Sequence, residues 1–203
     1  MGDGAGEIHP APAGRLSRPI RRSAPEVRNE SNYRISDSDR IGEGPPRQKF
    51  RQNIEAIQTL RKVEAEGRPA TPEEKTALVR YVGWGAMPQV FDPRNYEWRS
   101  ARAEVEQLLT PEELEAARAS TLNAHYTSPT VVRAMYRALE QFGFERGRIL
   151  EPACGIGHFI GLMPEAMHRH STITGVEIEP ITARIAKALY PDADIRTQGF
   201  ENA

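Results

Sequence analysis

The sequence predicts an α/β fold: a parallel, doubly wound sheet, preceded by a helical segment and, before that, by a disordered tail. Three observations carry this expectation. After Ser128, helix-type and strand-type segments alternate to the end of the 203-residue chain, and alternation at that spacing requires parallel strands joined by right-handed crossovers. Between residues 47 and 120 apolar residues recur every three or four positions behind recognisable helix starts. Residues 1–46 show neither period.

The tail comes first. It is rich in Gly, Pro, Ser and Arg and ends in "GEGPPR", so it cannot bury enough apolar surface to offset chain entropy. Its arginines (Arg15, Arg18, Arg21, Arg22 and Arg28) could meet a polyanion, but a solvated linker is the simpler reading. In the helical segment, Phe50, Ile54, Ile57, Leu60 and Val63 form one face of an amphipathic helix that ends at Gly67. Two later helix starts share a spelling. Thr71, Pro72 and Glu74 make a capping box with proline at the first helical position, and Thr110, Pro111 and Glu113 repeat it. Gly83 offers a stop for the first of these. The stretch "GWGAMPQVFD" is broken by glycine and proline yet carries Trp84, Met87, Val90 and Phe91, which predicts a loop packed onto a neighbour in preference to a ligand or DNA surface.

Residues 121–203 carry the alternation. "SPTVVRAMYRALEQFG" reads as a helix, "RILEPA" as a short buried strand, and "GHFIGLMPEAMHRH" as a helix with Pro164 inside its span. "TITGVEI" is a strand, "PITARIAKALY" a helix and "DIRTQGF" an extended segment. Ligands on such sheets lie at the carboxyl ends of the strands.

Composition narrows the setting. The chain is 38% apolar and 27% charged with a net charge of −1, so any basic surface for nucleic acid would have to be local. No apolar run approaches the roughly 18 residues that span a bilayer, and the start lacks the apolar middle of a secretory signal. Cys154 is the one cysteine. A cytoplasmic protein without membrane contact is expected.

The chemistry concentrates in "ILEPACGIGHFI". Gly155 and Gly157 follow the first strand and open a helix, where a Gly-x-Gly turn lets a ligand approach the backbone. Glu177 ends the second strand 22 residues after Gly155, where a carboxylate can accept both hydroxyls of a ribose. The candidates are a dinucleotide and S-adenosylmethionine, with an unliganded turn as the third possibility. Charge favours S-adenosylmethionine. Glu151 at the turn repels a pyrophosphate by roughly 4 kcal/mol at about 4 Å before screening, yet attracts an ammonium. The dinucleotide pattern also places Gly or Ala where this chain has Ile160. The histidines, "HRH" at 168–170 together with His125 and His158, lack metal spacing and are expected on the surface or in packing roles, with no metal site. Cys154 is expected to pack.

"ILEPACGIGHF" resembles the first motif of amino-methylating DNA methyltransferases, in particular the adenine-N6 group in which the cofactor region precedes the catalytic one. "NAHYTSPTVV" resembles that group's separate N-terminal cofactor motif, and "GVEIEP" its acidic second motif. The segment from about residue 50 to 203 is similar to the front of large methyltransferase–helicase fusion proteins of plasmids and phages. The resemblance implies a partial Rossmann-like S-adenosylmethionine-dependent methyltransferase sheet. It implies that Tyr126 and Thr127 embrace the methionine end of the cofactor, that Glu151, Ala153, Gly155 and Gly157 line the methionine and sulfonium, and that Phe159 packs underneath. Glu177 would hold the ribose and Ile178 would lie on the adenine. Phe159, Ile178 and Tyr126 have ordinary packing readings beside these; Glu151 and Glu177 are the two that are hard to explain without a ligand. Relatives carry an acid before the aromatic that follows the third strand, but "TQGFEN" has Gly199 there, so Gln198 or Phe200 would meet the adenine instead.

Adenine-N6 transfer needs a flipped base whose amino group is held by an Asn-Pro-Pro-aromatic loop. These residues contain no such tetrapeptide, and no catalytic residue is assigned. Two expectations follow. The chain is the cofactor-binding front of an adenine-specific DNA methyltransferase, as a fragment, a truncated product or one piece of a split enzyme, acting on DNA with a catalytic or helicase portion or subunit. Alternatively it is a non-catalytic interaction or DNA-binding module derived from such an enzyme.

Overall fold

The computed structural model describes residues 31–203. Arg15, Arg18, Arg21, Arg22 and Arg28 of the predicted tail lie outside the described residues. The described part is α/β, with eight α-helices and a three-stranded sheet that does not close. No helix of the described residues is long and apolar enough to cross a membrane.

The helical segment follows its sequence signals. α1 (Pro46–Glu66) buries Phe50, Ile54, Ile57, Leu60 and Val63 and ends on Gly67 in the left-handed region, as its spacing required. α2 (Pro72–Leu78) and α4 (Pro111–Ser120) each begin with the complete capping box. Between them lies α3 (Arg99–Leu108). The broken loop packs as expected: Trp84, Met87 and Val90 are fully buried, and the Trp84 ring meets Phe91 edge-on at 5.4 Å.

Gly83, however, does not stop α2, which ends five residues earlier at Leu78. A side chain from another helix takes over the backbone there. Buried Asn53 of α1 donates to the Gly83 carbonyl at 2.6 Å and accepts from the Val82 N–H at 2.9 Å, so two backbone groups beyond the end of α2 are paired by a side chain. Asn53→Ala should lower unfolding free energy by about 2 kcal/mol, because a buried donor and acceptor would lose their partner; urea unfolding reads this directly.

Residues 31–45 correct the boundary of the expected tail. The Tyr33 N–H bonds to the Leu189 carbonyl and the Ile35 N–H to the Gly161 carbonyl, while Asn32, Ile35 and Asp39 are buried. The segment takes its order from the surface beneath it. Gly161 lacks a side chain where a Cβ would stand 2.6 Å from Ile35, and that absence lets the strand-like segment settle. No period within residues 31–45 could announce such a contact.

The second half runs α5 (Pro129–Gln141), β1 (Arg148–Glu151), α6 (His158–Leu162), α7 (Glu165–Arg169), β2 (Thr172–Glu177), α8 (Pro180–Leu189) and β3 (Asp194–Thr197). The strands are parallel in the order β1-β2-β3, with Glu151 beside Gly175 and Glu177 beside Thr197. The expected single helix over 157–170 is two, because Met163 before Pro164 is forced extended at ψ 137°. α8 lies against β2 and β3 and is covered in turn by α1, α2 and α4. One apolar core therefore runs from Phe50 to Ile195 across the boundary expected at residue 120. An ion-pair network joins the same elements: Arg184 of α8 binds Glu64 of α1 and Glu113 of α4, and Glu113 also meets Arg61.

Candidate functional site

The carboxyl ends of β1 and β2 meet at the glycine turn. Gly155 (φ 55°) and Gly157 (φ 90°) occupy the left-handed region, which admits glycine readily and other residues at a cost. The turn is tied to β2 at two points, and a third bond fixes the carboxylate that makes one of them. The Cys154 N–H donates to the Val176 carbonyl at 2.9 Å, the Gly155 N–H donates to Glu177 Oε2 at 3.0 Å, and the Glu179 N–H donates to Glu177 Oε1 at 2.8 Å. Glu177 thus has a structural role that the sequence did not reveal: it clamps the turn to its strand. Each carboxylate oxygen retains a further lone pair for a ligand.

A cavity of about 540 Å³ opens beside this clamp. Of the residues singled out in the sequence, Tyr126, Thr127, Ala153, Gly155, Phe159, Glu177 and Ile178 line it. Half-buried Tyr126 lies against Gly155, where a Cβ would stand 2.8 Å from its ring. Ile178 is 70% exposed at the rim, an apolar side chain left open to solvent at the end of β2.

Three residues are not brought in. Glu151 shares the half-buried face of β1 with Ile149 and borders a second cavity of about 330 Å³ under α5, with Met135, Leu139 and Phe144; burial raises its pKa, against the pull of the Ala153 N–H. Gly157 packs against the buried ring of Tyr190. Gln198 donates its backbone N–H to the Glu177 carbonyl and its side-chain amide to the Asn202 carbonyl, so neither group faces the cavity.

Sequence reasoning missed the opposite wall. Ala116, Ala119 and Ser120 of α4 and Asn123 behind it complete the cavity, although α4 belongs to the helical segment; no local pattern ties a helix to a turn some 35 residues on. It also missed Glu179 and Thr182. Buried Glu179 caps α8 by accepting from the Ile181 and Thr182 N–H groups and the Thr182 hydroxyl, and burial raises its pKa despite those bonds. The cap of "EPIT" was readable; its place in the cavity was not. His158, expected on the surface or in a packing role, is buried in the wall beside Tyr126, ring centroids 4.9 Å apart. Cys154 packs, as expected, and burial pushes its thiol up to about 12.

Electrostatically the cavity has one sign. Among the described residues Glu177 and Glu179 line it and no lysine or arginine does. A pyrophosphate would meet only repulsion from these side chains, whereas a ligand with hydroxyls and a cationic end would meet acceptors. No family model matches the chain, and no curated protein or solved structure matches it.

Proposed function

We propose that the chain is the S-adenosylmethionine-binding front part of an adenine-N6 DNA methyltransferase, with a partial Rossmann-like sheet. The observation that carries this reading is the acidic cavity at the carboxyl end of β2, whose lining among the described residues holds Glu177 and Glu179 and no arginine or lysine. The turn offers a close approach at Gly155, Glu177 offers acceptors for ribose hydroxyls, and Ile178 offers an apolar surface for a base. When bound, the cofactor supplies a methyl group made electrophilic by the adjoining sulfonium. The residues of this chain bind and orient it: Tyr126 and Phe159 wall the cavity, the Gly155 turn admits it, and Glu177 holds its register. The 203 residues include no Asn-Pro-Pro-aromatic loop, so on this reading the target base of DNA is held by another portion or subunit.

Calorimetric titration of the purified chain with S-adenosylmethionine, using NAD as control, tests the proposal. Selective binding is the expected result; binding of NAD alone would overturn it. Glu177→Gln, which keeps one acceptor for the clamp, should weaken cofactor binding by about 1.5–2 kcal/mol, the cost of losing hydrogen bonds to a charged group. Unchanged affinity would remove Glu177 from the site.

A second reading draws on a different surface. The apolar groove between α5 and β1, with Met135 and Leu139 each at least 40% exposed, favours an interaction module. A chain that binds no cofactor yet retains this groove would fit that reading.

A further inference from the structure

His158 is the buried residue of the cavity lining whose side-chain polar atoms lack a partner among the described residues. It opens α6 directly after Gly157, is 4% exposed, and neither ring nitrogen meets a hydrogen-bond partner among the described residues. The Thr127 carbonyl lies near enough to favour the protonated ring but does not offset burial. Other buried polar groups around the cavity have employment: Glu179 and Thr182 cap α8, and Glu177 clamps the turn. A buried imidazole without partners forfeits hydrogen bonds that water would have supplied, and its retention in a cavity wall marks a place where something else completes them.

We propose that His158 is a ligand-contacting residue whose ring nitrogen accepts a hydrogen bond from the ammonium at the amino-acid end of the bound cofactor. The inference rests on the cofactor reading above and adds a residue to it. Position selects the end of the ligand. Glu177, Ile178 and Glu179 come from the β2 side of the cavity, whereas His158 stands on the α6 side of the turn, against Tyr126 and Thr127. A ligand whose ribose reaches Glu177 crosses Gly155 to arrive there. A neutral imidazole carries one N–H donor and one acceptor nitrogen, and an ammonium is the donor this class of ligand presents.

The test uses the full chain and two probes. S-Adenosylhomocysteine carries the amino-acid end; 5′-methylthioadenosine keeps the nucleoside and thioether and lacks it. In His158→Leu, affinity for S-adenosylhomocysteine should fall about tenfold or more, while affinity for 5′-methylthioadenosine stays unchanged. His158→Asn, which restores a polar acceptor, should recover part of the loss. Thermal unfolding without ligand should show His158→Leu at least as stable as wild type, because an unpaired polar group has been removed. Equal losses for both probes, no loss for either, or a destabilised His158→Leu would each overturn the proposal and leave the cofactor reading standing. A wild-type chain that binds neither probe would overturn both.

Discussion

Gly157→Ala should destabilise the protein by about 2–5 kcal/mol, the sum of a left-handed backbone that costs a residue with a Cβ roughly 1–2 kcal/mol and of overpacking at roughly 1–3 kcal/mol. The backbone at Gly157 stands at φ 90° and ψ 37°. A Cβ there would run into the ring of Tyr190, closer than real Cβ contacts come. Tyr190 is fully buried at the end of α8, so neither partner can retreat. Gly143→Ala provides the control: it also has positive φ, at 79°, but nothing lies within 4 Å of the added atom, so it should show the backbone cost alone. Urea unfolding of both variants separates the two contributions. Tyr190→Leu in the Gly157→Ala background should recover part of the loss, as expected for residues in contact. If Gly157→Ala unfolds like Gly143→Ala, the close packing of turn and ring is wrong.

That packing shows what a Gly-x-Gly spelling does and does not reveal. Both glycines suggested room for a ligand, yet the two have different neighbours. Gly155 makes room for Tyr126 at the cavity, and Gly157 for Tyr190 in the core. Local signals were legible where the cause was local. The capping boxes at Thr71 and Thr110, the Gly67 terminus and the strand–turn–helix order all depend on residues within one turn of each other. Signals failed where a distant partner decides. Asn53 holds the backbone beyond α2 from another helix, Gly161 and Leu189 order residues 33–35, and α4 walls a cavity whose floor lies beyond it in the chain. Glu151 was misdirected for a simpler reason. The strand period places it on the face of Ile149, towards α5, and the charge argument built on it passes to Glu177 and Glu179.

Stability should fall in mild acid through His158, and the sign follows from burial. Its pKa is lowered from 6.5 to about 4 because the protonated ring would be desolvated, the nearby Thr127 carbonyl giving only partial relief. Between these values the unfolded chain binds a proton that the folded chain does not, so unfolding becomes easier as pH falls from about 6.5 to about 4, by up to about 3 kcal/mol at 1.36 kcal/mol per pH unit. Other groups titrate near this window. Burial raises Glu151 and Glu179, so the folded chain takes up their protons first and acidification through their range stabilises it. Glu113 is lowered despite burial, because the Thr110 N–H and Arg184 hold its anion; its contribution is lost only below the usual carboxylate range. Subtraction isolates the histidine. The stability of wild type minus that of His158→Leu, followed by urea unfolding from pH 7.5 to 4.5, should decline steadily below about pH 6.5, since Tyr126, Cys154, Glu177 and Glu179 are common to both chains and line the same cavity. A flat difference would mean that the ring takes up its proton as readily in the folded chain as in the unfolded one, and so is not buried. The buried acceptor assigned to the ammonium would then not exist. A decline has a consequence for binding as well: an ammonium seated against the neutral ring disfavours its protonation further, so cofactor affinity should weaken only where His158 begins to take up its proton, near pH 4, and stay level above it.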